Sequence, residues 1–351
     1  MIDLVKIRRD LHQIPEVGFK EYQTSQYIEK ILKTFSCQIY HCHTGLIAYF
    51  DFHQDSTLAY RCELDGLPIQ EENSISYRSK NQNMHACAHD GHMAIALGIC
   101  QYLNQTNEQF PHNFAIIFQP SEESYGGSLE IIKSSYLEKL NVKKILSLHF
   151  FPKLTKRQFF TKDVPFSSSR EINIILRGKS VHVGNKKQGI DALLIASKLV
   201  VNLDKFNTSN TIVHFGSFSS QGARNVVSPQ VELKGTIREI KTTNILNKIK
   251  KIIDKYQKKY HIDINLEASK YLPSLVNNIE LINKGKKFID IHQLTKTYFQ
   301  SEDFSLYTNK YPCLYLLYGL GDSDYLHSSK FNFDDQILNH CLSQVIKLLK
   351  I

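Results

Sequence analysis

Apolar and polar positions change period repeatedly along the first half of the chain. Leu4 to Gln13, Glu21 to Phe35 and Gly91 to Leu103 are spaced as helices. Leu46 to Phe52 and Thr57 to Arg61 read as strands, the second running into Cys62-Glu63-Leu64-Asp65. Phe114 to Phe118 is a short apolar strand stopping at Gln119-Pro120, and Lys144 to Leu148 is another, stopping at His149. This alternation predicts an α/β fold, an open mixed sheet with helices on both faces. Ligands in such sheets gather outside the carboxyl ends of strands. Glu63, Asp65, Glu122, Glu123 and His149 fall there.

The texture changes after Pro165. Glu171 to Leu176, Thr211 to Phe218 and Gln230 to Ile237 are strand-like, and Ile190 to Leu203 and Thr243 to Tyr260 helix-like. These make a small α+β insert. The earlier pattern returns at Cys313-Leu-Tyr-Leu-Leu-Tyr318, before Gly319-Leu-Gly321 and His327. The expectation is one discontinuous catalytic domain, 1–166 and 274–351, interrupted by a second domain at 167–273.

Composition narrows the partners. The 351 residues suit about two domains, and 42% hydrophobic with 22% charged residues is ordinary for a globular protein. No apolar run reaches the roughly 18 residues a membrane span needs. Met1-Ile-Asp-Leu-Val-Lys6 does not read as a signal peptide. Seven cysteines without a dense framework fit a reducing cytoplasm. The net charge of +9 suggests nucleic acid, but the lysines are dispersed. In the most basic run, Ile245, Ile249, Ile252, Ile253 and Tyr256 keep helical spacing, so the lysines between them are a solvated face. No recognition module is visible, and neither a nucleic-acid nor a membrane partner is expected.

The chemistry concentrates in His85-Ala-Cys-Ala-His89-Asp90, where Cys87 and His89 stand two positions apart and can grip one divalent ion. Glu122-Glu123, His149 and His327 add donors elsewhere. Adjacent carboxylates in an extended turn point to opposite sides, so one can bind metal while the other takes a proton from water. Coordination lowers that water's pKa from about 15.7 towards 7. Each residue alone has a plainer reading: a solvated acidic pair, a hydrogen-bonded core histidine, a loop histidine, an inert buried thiol. Two ions need about six to eight donors, with Cys87, His89, Glu123, His149 and His327 supplying most. One thiolate among imidazoles and carboxylates suits zinc and tolerates manganese or cobalt. In the insert, Arg238 could clamp a carboxylate bidentately and His182 could stabilise an oxyanion, with Asn225 a further candidate.

The ordered motifs carry a resemblance. They are Arg8-Arg-Asp-Leu-His-Gln-Ile-Pro-Glu16, Arg61-Cys-Glu-Leu-Asp-Gly-Leu-Pro68, Met84-His-Ala-Cys-Ala-His-Asp-Gly-His92 and Gln119-Pro-Ser-Glu-Glu123. Gly178 to His182, Asn225 to Pro229, Gly235 to Arg238, Glu302-Asp-Phe304 and Leu326-His327 continue them. Across essentially its whole length the chain resembles the aminoacylase and N-acyl-amino-acid amidohydrolase family of two-metal hydrolases. The resemblance implies an α/β catalytic domain with an inserted lid or dimerisation domain. It also implies Cys87, His89, Glu123, His149 and His327 as ligands, Glu122 as general base and Glu63 as an acid orienting the site. His182 is implied to reach the partner subunit's active site in a homodimer, with Asn225 and Arg238 on the substrate carboxylate. Within the family, the opening segment and the stretches around Glu63, Cys87 and Glu302 are most similar to the N-acetyldiaminopimelate deacetylases. Glu63 stands where many relatives carry Asp, Ala88 where they carry Gly, Ser121 where they carry Ala, and Lys186-Lys187 where they carry Pro-His.

The expectation is therefore a cytoplasmic, metal-dependent hydrolase of linear amides, removing acetyl from N-acetyl-diaminopimelate. A broader aminoacylase or hippurate-type hydrolase is the alternative within enzymes. A non-catalytic protein that keeps the fold and the metal is the alternative outside them.

Overall fold

The computed structural model describes residues 2–124 and 126–351. Its strands are β1 (Gln38–Cys42), β2 (Gly45–Phe50), β3 (Thr57–Glu63), β4 (Asn113–Gln119), β5 (Val142–Phe151) and β6 (Phe159–Thr161). They continue as β7 (Arg170–Arg177), β8 (Thr211–Gln221), β9 (Gln230–Glu239), β10 (Asp263–Ala268), β11 (Ile291–Gln293) and β12 (Cys313–Gly319).

Two compact units divide the chain. The first comprises residues 1–165, 276–296 and 303–351, and the second 166–275 with 297–302. The domain bounds expected from the sequence place 297–302, and the junction residues 166, 274 and 275, in the first domain instead. Backbone hydrogen bonds explain the difference: Ser167 N–H donates to the carbonyls of Tyr298 and Gln300, and Leu275 N–H to that of Phe166.

The first unit holds an eight-stranded mixed sheet in the order β1-β2-β4-β3-β5-β12-β6-β11. The central run β4-β3-β5-β12 is parallel. Every residue of β3, β4 and β12 is buried, as parallel strands covered on both faces must be. That burial is why those stretches read as unbroken apolar runs. Helix α1 (Leu4–His12) and helix α2 (Tyr22–Leu32) pack against α3 (His89–Gln105), which is buried at nearly every position. β5 runs past the expected stop, so His149 lies inside the strand.

The second unit is a four-stranded antiparallel sheet, β10-β7-β9-β8, with the helices Ala192–Asp204 and Ile245–Tyr260 packed on it. Its core joins Ile172, Ile174 and Leu176 of β7 to Leu199 and Ile249 of those helices. β10 alternates polar Asp263, Asn265 and Glu267 with Ile264, Leu266 and Ala268, a strand pattern that the sequence analysis leaves unassigned.

Candidate metal centre

Parallel β3, β4, β5 and β12 all end on one side of the large sheet, where β5 carries His149 and the segments after β3, β4 and β12 carry the other expected donors. The turn into α3 presents Cys87, and the first residue of the helix is His89. Ala88 between them adopts φ +63°, the left-handed region, and the ligand atoms of the two side chains come within 4.8 Å of each other. Ser121, just before Glu122, and His327 also have positive φ. A non-glycine residue in that region carries local backbone strain.

Ligand atoms of Cys87, His89 and His149 all lie within 4.8 Å of one another, and so do those of Cys87, Glu123 and His327. The two trios share the thiol of Cys87. His89, Glu122 and Glu123 form a third such group. Cys87 Sγ stands 3.4 Å from His149 Nε2, and His327 Nε2 stands 3.2 Å from Glu123 Oε1.

The histidine tautomers follow from their hydrogen bonds. His89 Nδ1–H donates to the Asp65 carbonyl at 2.8 Å, leaving a buried Nε2 with no hydrogen-bond partner. His149 Nδ1–H donates to the Phe150 carbonyl at 2.8 Å, so its Nε2 also carries a lone pair. Metal-ligating histidines are commonly held this way, by a donor bond from the other nitrogen.

Electrostatics points the same way. Burial alone would lower the pKa of His89, but the Asp65 carboxylate, 3.4 Å from its Nδ1, and the charges of Glu63 and Glu123 push it up to about 10. Burial, then the nearby charges of Glu123 and Glu122, hold the Cys87 thiol well above its usual range. Burial and the neighbouring His92 hold His149 neutral. Glu123 goes down despite burial, because His327 and His89 face it. A pocket that favours a proton on His89 and refuses charge on Cys87 is negative, and a divalent cation reverses both effects. The residues therefore fit a pair of divalent ions.

Supporting groups fix this arrangement. Asp65 Oδ2 accepts from Glu123 N–H at 3.0 Å, so one residue ties His89 and Glu123 together. Glu21 Oε1 accepts from Ser121 N–H at 2.7 Å and holds the turn into Glu122. A Cβ on Gly127 would stand 1.5 Å from the Pro120 carbonyl, so only glycine lets that turn close. Glu63 pairs with Arg61, and Arg61 with Asp303 at 2.7 Å, all buried. The sequence places Asp65 at a strand end without a role of its own, and it does not single out Glu21. For Asp65 a signal existed, two positions beyond Glu63 at a strand end.

Cys87, His89, Glu122, Glu123, His149, His327 and Glu63 thus gather in the first unit. The remaining three lie in the second. His182 is exposed, and its Nδ1 accepts from Gly184 N–H at 3.2 Å. The Asn225 loop runs beside it, with Val183 N–H donating to the Asn225 carbonyl at 2.9 Å. Arg238, on β9, donates to Ser301 Oγ at 2.7 Å and lies 3.7 Å from Glu171.

Known proteins are similar to this chain along nearly its whole length. The profile of peptidase family M20/M25/M40 matches residues 59–350. An uncharacterized hydrolase of Staphylococcus aureus (strain bovine RF122 / ET3-1) is 31% identical over 95% of this chain and 94% of its own. The N-acetyldiaminopimelate deacetylase of Bacillus velezensis is 30% identical over 98% of this chain and 96% of its own. Among solved structures, the YXEP protein of Bacillus subtilis, a dinuclear metal-binding peptidase of the M20 family, superposes with a TM-score of 0.87. It is 26% identical and covers 99% of this chain and 96% of its own.

Proposed function

The chain belongs to peptidase family M20/M25/M40 as a metal-dependent amidohydrolase, and from that premise we propose that it hydrolyses N-acetyl-diaminopimelate to diaminopimelate and acetate. The observation that carries this reading is the pair of trios sharing Cys87, with the Glu122 carboxylate set beside them. The identity to the Bacillus velezensis deacetylase favours the substrate.

Two divalent ions, when bound, polarise the scissile carbonyl and lower the pKa of a water. Cys87, His89, Glu123, His149 and His327 would hold them, with zinc, manganese or cobalt suited to the donor set. Glu122 takes the proton from the attacking water and returns it to the leaving nitrogen, so the amide C–N bond breaks to acetate and a free amine. The His182 ring donates to the oxyanion as it forms. Arg238 and Asn225 hold the substrate carboxylate, the guanidinium bidentately.

His182 serves the partner subunit's site in a homodimer built through the second unit. β8 is the edge of its sheet and is exposed over its second half. Leu193, Leu194 and Val201 leave apolar surface on the helix Ala192–Asp204. Both are features that association covers. Among the described residues no helix is long and apolar enough to cross a membrane.

The test is acetate release from N-acetyl-L,L-diaminopimelate by protein reconstituted with each metal, beside N-acetyl-lysine, N-acetyl-methionine and hippurate. Preference for the first places the enzyme in lysine and cell-wall amino-acid synthesis. Equal or faster turnover of the others makes it a general aminoacylase. Metal uptake with no hydrolysis of any of them leaves a binding protein of the same fold.

A further inference from the structure

Strand β5 loses one neighbour before it reaches its ligand. β3 pairs with it only as far as Arg61 opposite Ser147, whereas β5 continues through His149 and Phe150, paired on its other side with β12. Phe150 is fully buried. Its N–H would forfeit all its hydration there without an acceptor. The acceptor is a side chain, Nε2 of His92, at 2.9 Å.

A ring nitrogen that accepts carries no proton, so the neutral His92 ring holds its proton on Nδ1. Nδ1 donates to Glu63 Oε2 at 2.7 Å, and the other oxygen of Glu63 takes Arg61. Arg61 is anchored by Asp303 at 2.7 Å and by Gln119 at 2.9 Å. The His92 and His149 rings meet edge to face, with centroids 4.6 Å apart.

We infer that His92 is a positioning residue for His149. Glu63 fixes the His92 tautomer, His92 takes the place of the missing strand neighbour at Phe150 N–H, and the clamped strand end keeps His149 Nε2 turned towards Cys87. This rests on His149 being a metal ligand. It assigns to Glu63 a function one step removed from the ligands: keeping Nε2 of His92 free to accept.

The experiment begins with ¹⁵N spectra of histidine-labelled, metal-free protein. His92 and His149 should both show the tautomer protonated on Nδ1, and a proton on Nε2 of His92 would overturn the inference. Zinc affinity is then measured by chelator competition for wild type, His92→Phe, His92→Gln and His149→Ala. His92→Phe removes the acceptor and should weaken binding roughly 10- to 100-fold, as loss of a ligand's supporting bond does. His92→Gln can still accept from Phe150 N–H and should recover most of that loss. A purely structural role would lower the melting temperature of both variants without this split. Should His92→Phe not fold, the tautomer and the His92→Gln affinity still decide. Unchanged affinity in His149→Ala refutes the ligand reading itself. Weakened His149→Ala beside unaltered His92→Phe refutes only the positioning role.

Discussion

Arg8 Nε donates to Asp90 Oδ2 at 2.9 Å with both side chains buried, bolting α1 to the first turn of α3, one residue beyond His89. His12 Nδ1 donates to the same oxygen at 2.8 Å, and Arg8 also reaches Asn332 at 2.6 Å. Arg8→Met removes the guanidinium from a buried carboxylate and leaves it the His12 ring, so it should cost about 3 kcal/mol, the low end for a broken buried pair. Urea unfolding checks this. A loss below about 1 kcal/mol would mean that water solvates Asp90 once the arginine is gone.

The same pair sets an acid limit. Burial alone would raise the Asp90 carboxyl, but the Arg8 charge and the His12 hydrogen bond hold it well below the usual carboxylate range. A carboxyl lowered in the folded state contributes stability above its unfolded pKa of about 3.9 and loses it as pH falls through the folded value. The urea midpoint of wild type should therefore exceed that of Asp90→Asn at about pH 6, with the gap beginning to narrow only below about pH 4 and most of it still present at about pH 3. A gap independent of pH would refute the linkage.

The grouping of candidate donors was legible because donor types recurred at the ends of apolar runs, and the order of motifs made the set coherent. The parallel core was legible for a related reason, since strands buried on both faces are apolar throughout. What could not be read depends on which atoms meet across elements. His92 looks like one more histidine three positions past His89, and only the overhang of β5 beyond β3 gives it a task. His149 seemed to end its strand because a polar residue interrupts Leu148 and Phe150. Bonded to the Phe150 carbonyl, its ring is tolerated inside. β6 and β11 have three residues each, too few to show a period.

Ala88 offers a test of strain at the ligand turn. Its left-handed backbone costs an L residue roughly 1–2 kcal/mol that glycine does not incur. Ala88→Gly should raise unfolding stability by about 1 kcal/mol, with zinc affinity unchanged. Thermal and urea unfolding measure the first and chelator competition the second. A destabilised variant would show that packing of the buried methyl outweighs the backbone term.

Glu122 and Glu123 are neighbours whose surroundings assign them different tasks. Glu123 faces His327 and shares a trio with Cys87, whereas Glu122 lies by His89 outside both trios that contain the thiol. Glu122→Gln should retain metal and bind substrate with little change in KM, yet lose at least roughly 10²- to 10⁴-fold in kcat, the contribution of a positioned general base. Glu123→Gln should instead weaken the metal itself, so part of its activity returns when excess zinc is supplied. Metal content and acetate release, measured on the same preparations, separate the two. If zinc rescues Glu122→Gln while Glu123→Gln holds its metal normally, the two roles are exchanged. If Glu122→Gln turns over at the wild-type rate, the proton moves through another group.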